Sequence, residues 1–362
     1  MAATIIGCTG LTTTQAQPLD LPISVWDAII TIRGGYGYKD NLTLAHTATE
    51  SSPFIGSGLE VLVMRYPKDG AEWTFLLNAE DKHYLDSTEV EQEQVLLTQA
   101  QFKKRFEEAG EVSATVEYLY QDEFQDVSVT ETNLQAVRVR GHTLSGGPAF
   151  RLNYPAQFWG SLEIAPARHW FAEPLDDDFE FGPHVTLGRD YGFGSEVGLQ
   201  YTPGYRTYDT AAKLTTSGET ITNSHRAFSQ HELRLQWRHY WDSERQWRNT
   251  TRLIYKVSRD NGSGYFDYDK LGAAEQIRFH TKRWDFSAEA RISYYQYAVQ
   301  TADPPSHDPR RRTELMISVR AERQLTKSLR FFATFEREQS FANVTLENYT
   351  ANTVLGGLQW EF

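Results

Sequence analysis

The 362-residue sequence predicts an all-β fold, a transmembrane antiparallel up-and-down β-barrel of about sixteen strands with short turns at one rim and longer loops at the other. Three observations predict it. Apolar side chains recur at every second position over segments of ten or more residues. Short and long breaks alternate strictly along the chain, and the tryptophans gather beside the short ones.

The alternation begins at Val25 and is clear in residues 71–85, where Trp73, Phe75, Leu77 and Ala79 fall on one side and Thr74, Asn78, Glu80 and Lys82 on the other. It returns in Val112, Ala114, Val116, Tyr118 and Tyr120, then in Trp284, Phe286, Ala288, Ala290, Ile292 and Tyr294, and again in Leu315, Ile317, Val319 and Ala321. These runs exceed the usual strand of about 5–6 residues. They suit a tilted membrane-spanning strand of about 9–11 residues with an extension beyond the bilayer.

Seven short, turn-rich breaks lie at 67–70, 107–111, 153–157, 189–194, 242–246, 281–283 and 324–328. Eight longer polar breaks lie near 40–52, 84–91, 122–131, 170–178, 206–225, 259–264, 300–312 and 340–348. Fifteen connections join sixteen strands, and both chain ends then fall at the short-turn rim. Closure removes the exposed edges that so large an open sheet would leave. The stretch 138–152 breaks phase around Ser145-Gly146-Gly147-Pro148, which predicts a bulge. Seven of the nine tryptophans (Trp26, Trp73, Trp159, Trp241, Trp247, Trp284, Trp360) stand next to short turns or chain ends, where an interfacial girdle belongs.

Composition bounds the function. Aromatic residues, 13 % of the chain, run from the first strand to the end, so nothing divides it into domains. With 36 basic against 48 acidic residues, the formal charge of −12 offers no basic face for phosphate and argues against nucleic acid. Cys8 is the sole cysteine, which excludes a disulfide framework or a thiolate metal site within the chain. No run of 18 apolar residues marks a transmembrane helix, which does not exclude a membrane.

The chain ends on VLGGLQWEF. Val354, Leu358, Trp360 and Phe362 face one side; Thr353, Leu355, Gln359 and Glu361 face the other. This strand, with Phe362 last, resembles the C-terminal signature of bacterial outer-membrane proteins. The resemblance implies that Phe362, Trp360 and Leu358 form an assembly signal read by the barrel assembly machinery. It also implies a bacterial outer-membrane location, contact with outer-membrane lipid and lipopolysaccharide, and, since general porins of this strand number are often trimers, a homotrimer. A second stretch, GGYGYKDNLTL at 34–44, resembles the opening strand of barrels in putative porins and exopolysaccharide-export proteins. Gly356 and Gly357 suggest curvature where the last strand meets the first, near 26–38.

The first 17 residues, MAATIIGCTGLTTTQAQ, read as a secretory signal cleaved after Ala16 at Thr14-Gln15-Ala16. No Lys or Arg precedes Arg33, so the basic leading region is missing and the signal reads as truncated. A lipoprotein site at Cys8 and a disordered tail are the competing readings. Residues 18–24 then form a periplasmic segment and 25–362 the barrel.

With apolar positions toward lipid, the intervening ones face the lumen. On strands 10 to 12 these include Arg234, Arg238, Arg248, Arg252, Lys256 and Arg278; on strands 13 to 15, Glu289, Glu314, Glu322, Glu336 and Glu338 beside Arg291, Arg320 and Arg330. A basic wall near an acidic one sets a transverse field across a water-filled pore. The same ions could instead pair across strands and brace the wall.

Outside, EPLDDDFEF (173–181), with Asp176, Asp177, Asp178 and Glu180, lacks an ordered set of ligand spacings, and RDNGSGYFDYD (259–269) lacks the calcium-loop pattern. Both read as loops, and no metal or other cofactor is implied. His83, His169, His225 and His307 fall in or near different outer loops without a nucleophile motif, while His184, His231, His239 and His280 read as wall residues. No catalytic residue is assigned. The leading reading is a porin-like channel for passive, charge-filtered diffusion of small solutes. The alternatives are a non-channel barrel serving as a surface anchor or as the membrane part of a polymer or protein export assembly, and, third, an outer-membrane hydrolase.

Overall fold

The computed structural model describes residues 25–68, 70–106, 109–129, 136–302 and 306–362. The expected signal, its cleavage site, Cys8 and the segment 18–24 lie outside the described residues.

Sixteen antiparallel strands form one closed sheet. They are β1 (Trp26–Lys39), β2 (Ser52–Lys68), β3 (Ala71–Tyr84), β4 (Gln92–Phe106), β5 (Gly110–Asp126), β6 (Ala136–Asn153), β7 (Phe158–Ile164, resuming at Ala167–Phe171) and β8 (Asp178–Phe181, resuming at Pro183–Tyr191). There follow β9 (Ser195–Tyr208), β10 (Ala227–Tyr240), β11 (Trp247–Asp260), β12 (Tyr268–His280), β13 (Trp284–Thr301), β14 (Pro309–Gln324), β15 (Leu329–Ala342) and β16 (Tyr349–Glu361). Each strand pairs with its sequence neighbours, and β1 pairs with β16 from Thr31–Glu361 to Lys39–Thr353, closing the cylinder. The seven short turns and eight long loops stand where the sequence places them.

The first-to-last seam is tight. A Cβ on Gly357 would lie 2.1 Å from the Gly34 carbonyl oxygen, and one on Gly35 would lie 2.7 Å from that of Gly356. Backbones approach there as only glycine permits. Phe362 extends the seam, its amide donating to the Ile30 carbonyl at 2.9 Å.

The expected bulge in β6 is absent. Its register with β5 runs unbroken from Gly110–Leu152 to Asp126–Ala136. The irregularity lies in β7, between Ile164 and Ala167, where Pro166 has no N–H to give the ladder and only its carbonyl is used, accepting from Gly146 at 3.2 Å. β8 is interrupted at Gly182, just before Pro183, which likewise has no N–H to give; a Cβ on Gly182 would lie 2.7 Å from the Pro203 carbonyl oxygen of β9.

Six of the seven girdle tryptophans point outward, from Trp26 to Trp360. Trp159 turns inward instead: its indole N–H donates to Asp190 at 3.0 Å, Arg151 stacks on its ring, and Gly188 leaves the space it occupies. Two of the expected wall histidines lie on the outer face. His231 stacks on Tyr201, and His239 stacks on Tyr191 near Trp241.

Candidate functional site

The alternation that buries nothing on the outside fills the inside with ions. Arg234 donates to Glu232 at 2.7 Å, Arg238 pairs with Glu196 at 3.0 Å, and Arg278 pairs with Asp285 at 2.6 Å. Arg252 reaches across β12 to Glu289 at 3.2 Å, and Glu289 also accepts from Arg291 at 3.0 Å. Arg248 donates to Gln276 at 3.4 Å, although its direct register partner is Arg278. Glu322 takes Arg320 at 2.7 Å and Arg330 at 3.6 Å, while Glu314 takes Arg312 at 2.9 Å and the Tyr295 hydroxyl at 3.0 Å. Most of the expected wall is therefore cross-linked within itself.

Three expected charges remain outside that web. Lys256 sits opposite Lys270 in register, and among the described residues neither has a carboxylate within ion-pair distance; Lys270 lies over the Tyr295 ring. On β15, Glu336 is exposed inside the lumen with no cation within ion-pair distance among the described residues, and Glu338 accepts from the Tyr349 hydroxyl. Like charges set side by side cost free energy unless water or a counterion screens them. Met316, an inward residue of β14, is 42 % exposed, so the lumen is open to water at that height.

Toward the long loops the lumen is filled. The segment after β5 leaves the wall and crosses to the opposite side, where Val129 packs on Tyr268, Tyr295 and Tyr297 of β12 and β13. In a sixteen-strand cylinder β13 stands diametrically opposite β5. Two inward arginines at the start of β14 anchor the crossing. Arg312, 1 % exposed, donates to Asp126 at 2.5 Å and to the Ser128 hydroxyl. Arg310, equally buried, donates to the Ser128 carbonyl at 3.0 Å, pairs with Glu347 at 2.8 Å and stacks on Tyr297.

Other loops fold inward beside it. Leu42 joins Phe54, Tyr84 and Val90 above a Lys39–Glu93 pair at 2.9 Å, and Tyr208, Ala211, Leu214, Phe228 and Phe266 form a second apolar cluster. Glu50 ties the first long loop to the second by accepting the Thr88 amide at 2.6 Å, which holds its carboxyl below the usual carboxylate range.

The loop carboxylates serve as internal acceptors. Asp178 is fully buried between His169 (2.8 Å) and Arg206 (2.6 Å), and Asp177 accepts the Phe171 amide. In the 259–269 stretch Asp260 accepts the amides of Gly262, Gly264 and Phe266, folding the loop on itself.

The two faces of the wall are opposite in chemistry. Outward positions such as Ile30, Ile32, Phe75, Leu162, Leu187, Leu253 and Ile292 form an apolar belt with aromatic residues at its borders; inward positions are charged. A closed antiparallel barrel of even strand number with that inversion is suited to lipid outside and water inside. The chain is a transmembrane-type β-barrel. Leu358, Trp360 and Phe362 lie on its lipid face at the short-turn rim, the rings of Trp360 and Phe362 stacked 6.0 Å apart.

No protein-family model matches the chain, and no curated protein matches it in sequence. Among solved structures it is similar to the outer membrane protein OprD from Pseudomonas aeruginosa (TM-score 0.49, 9 % identity, 94 % of each chain covered). It is also similar to an anion-selective porin from Comamonas acidovorans (TM-score 0.47, 9 % identity, covering 93 % of this chain and 99 % of that one). A bacterial polysaccharide outer membrane secretin matches at a TM-score of 0.44 and 11 % identity, over 92 % of this barrel and 98 % of its own chain.

Proposed function

We propose that this barrel is a passive channel that admits small solutes under size and charge selection. The observation that carries the proposal is a lumen open to water at the height of the inward Met316, beneath a mouth narrowed by the segment that crosses from β5 to β14, with Lys256, Lys270 and Glu336 outside ion-pair distance of any partner among the described residues. The basic positions on β11 and β12 and the acidic ones on β15 supply a field across the path. Paired ions such as Arg252–Glu289 brace the wall, so the filter rests on the unpaired ones. The terminal strand, with Leu358, Trp360 and Phe362 toward lipid, serves in this reading as the assembly signal.

The filled mouth favours one other reading, a plugged barrel used as a surface anchor or as the membrane part of an export assembly. A hydrolase has less support, since His169 is held by Asp178 and His231 and His239 face outward. Swelling of vesicles loaded with the refolded protein, tested with neutral sugars of increasing size, separates channel from plug. Size-dependent swelling is expected, and none with even the smallest sugar would overturn the channel.

A further inference from the structure

The lipid face of β11 and β12 carries a polar patch at mid-height. Asn249, Thr251 and Glu275 belong to the outward set that includes Trp247, Leu253, Tyr255, Leu271 and Ile277, all exposed apolar or aromatic residues. Asn249 Nδ2 donates to Glu275 Oε1 at 3.1 Å, and Thr251 Oγ1 donates to Glu275 Oε2 at 2.5 Å. Thr251 stands four residues from both Trp247 and Tyr255, and Glu275 four from both Phe279 and Leu271. At about 3.4 Å per residue and a tilt of about 40°, that is about 10 Å from either border, near the middle of the belt. The other outward acids, Asp81, Asp122 and Asp269, lie toward the long-loop ends of their strands.

A carboxyl group facing hydrocarbon is costly and calls for a polar partner. The ground around this one is low: Ala290 is its register partner on β13, Ala288 is that of Ile277, and Ala273 precedes it on β12. Small side chains let another surface approach closely enough for hydrogen bonds to form across the contact. Elsewhere on the belt Ile30, Ile32, Leu162 and Leu187 offer no donor, Thr98 of β4 presents a single hydroxyl, and the outward Arg337 of β15 is held by Asn352 and Gln339. The surface that complements the patch is the patch itself, which holds donors (Asn249, Thr251) and an acceptor (Glu275).

We infer that Asn249, Thr251 and Glu275 form the contact face of a two-fold homodimer whose axis runs along the membrane normal between β11 and β12. Such an axis lays β11 of one copy on β12 of the other. Thr251 and Glu275 are register partners, and strands about 4.8 Å apart at a tilt of about 40° place them within about 3 Å of the same depth. The Glu275 side chain of each copy spans that difference to the donors of the other.

The test uses full-length protein in native membranes, in a Cys8→Ser background. One tagged copy carries Leu253→Cys and a second, differently tagged copy carries Ala273→Cys, register partners that flank the patch without altering it. A cross-link joining the two tags is expected, together with a two-chain mass for the purified protein in detergent. Glu275→Leu should weaken the dimer about tenfold, and Ala290→Trp should abolish it by bulk. The folded barrel band on unheated gels reports that each variant is intact. A one-chain mass without cross-link, a three-chain product, or a dimer unchanged in a folded Glu275→Leu or Ala290→Trp protein would each overturn the inference.

Discussion

Arg312 is the point at which the mouth of the barrel can be released. Its guanidinium, 1 % exposed, holds Asp126 and Ser128 of the crossing segment and Glu314 of its own strand. Arg312→Ala leaves the Asp126 carboxylate buried without its cation, a loss of about 3–5 kcal/mol for a pair removed from water. At about 1.4 kcal/mol per factor of ten, the anchored state should lose hundreds- to thousands-fold against the detached one. The barrel wall is untouched, since Arg312 lies above the lipid belt and its strand pairs through backbone. In planar bilayers the variant should therefore show larger conductance steps, with more open-state noise. Asp126→Asn, made from the other side of the contact, should do the same, and the double variant should add little because the two share one interaction. Steps of wild-type size and noise in both single variants would refute the idea that this crossing sets the narrowest point.

Three further outcomes follow from particular contacts. Gly357→Ala, whose Cβ would meet the Gly34 oxygen at 2.1 Å, should destabilise the refolded barrel by about 1–3 kcal/mol in urea titrations in vesicles. Gly356→Ala, with its nearest atom at 3.8 Å, should be close to neutral, and equal effects would remove the argument for a tight seam. Replacing Lys256 and Lys270 with Glu should move the reversal potential in a salt gradient toward cation selectivity, more than replacing the paired Arg234, Arg238 and Arg252 does; an unmoved potential would leave the wall a bracing role only. Because the Thr88 amide lowers the Glu50 pKa, the tie between the first two long loops is complete above the ordinary carboxylate pKa and is lost as pH falls through the lowered value. Protease access to the second loop should then rise only in acid, and should rise at neutral pH in Glu50→Ala.

The barrel was legible because its two signals are local. Alternation at Trp73 to Ala79 or at Trp284 to Tyr294 follows from a wall with lipid on one side and water on the other, and short turns differ from long loops in composition. Contacts made across the lumen leave no such trace. Arg310 and Arg312 sit in a stretch that reads as loop, yet they extend an inward alternation through Glu314, with Arg311 and Thr313 outward. That period continues three residues beyond the apolar strand and was the available signal. Nothing in the chain pairs them with Asp126 and Ser128, about 185 positions away. Trp159 failed as a girdle residue because phase, not proximity to a turn, decides which face a side chain takes; it shares its face with Ser161 and Glu163. No bulge forms around Gly146; the ladder is interrupted on the facing strand instead, at Pro166, which has no N–H to give, and the register on either side of the interruption is the same.

The central claim is an aqueous path through the lumen, and current across a single inserted barrel tests it most directly. Purified, refolded protein added to a planar bilayer should give discrete, ohmic steps at moderate voltage, with an ion preference that changes when Lys256 and Lys270 are reversed. Insertion of demonstrably folded barrels with no steps at any voltage, in the wild-type protein and in Arg312→Ala alike, would contradict it.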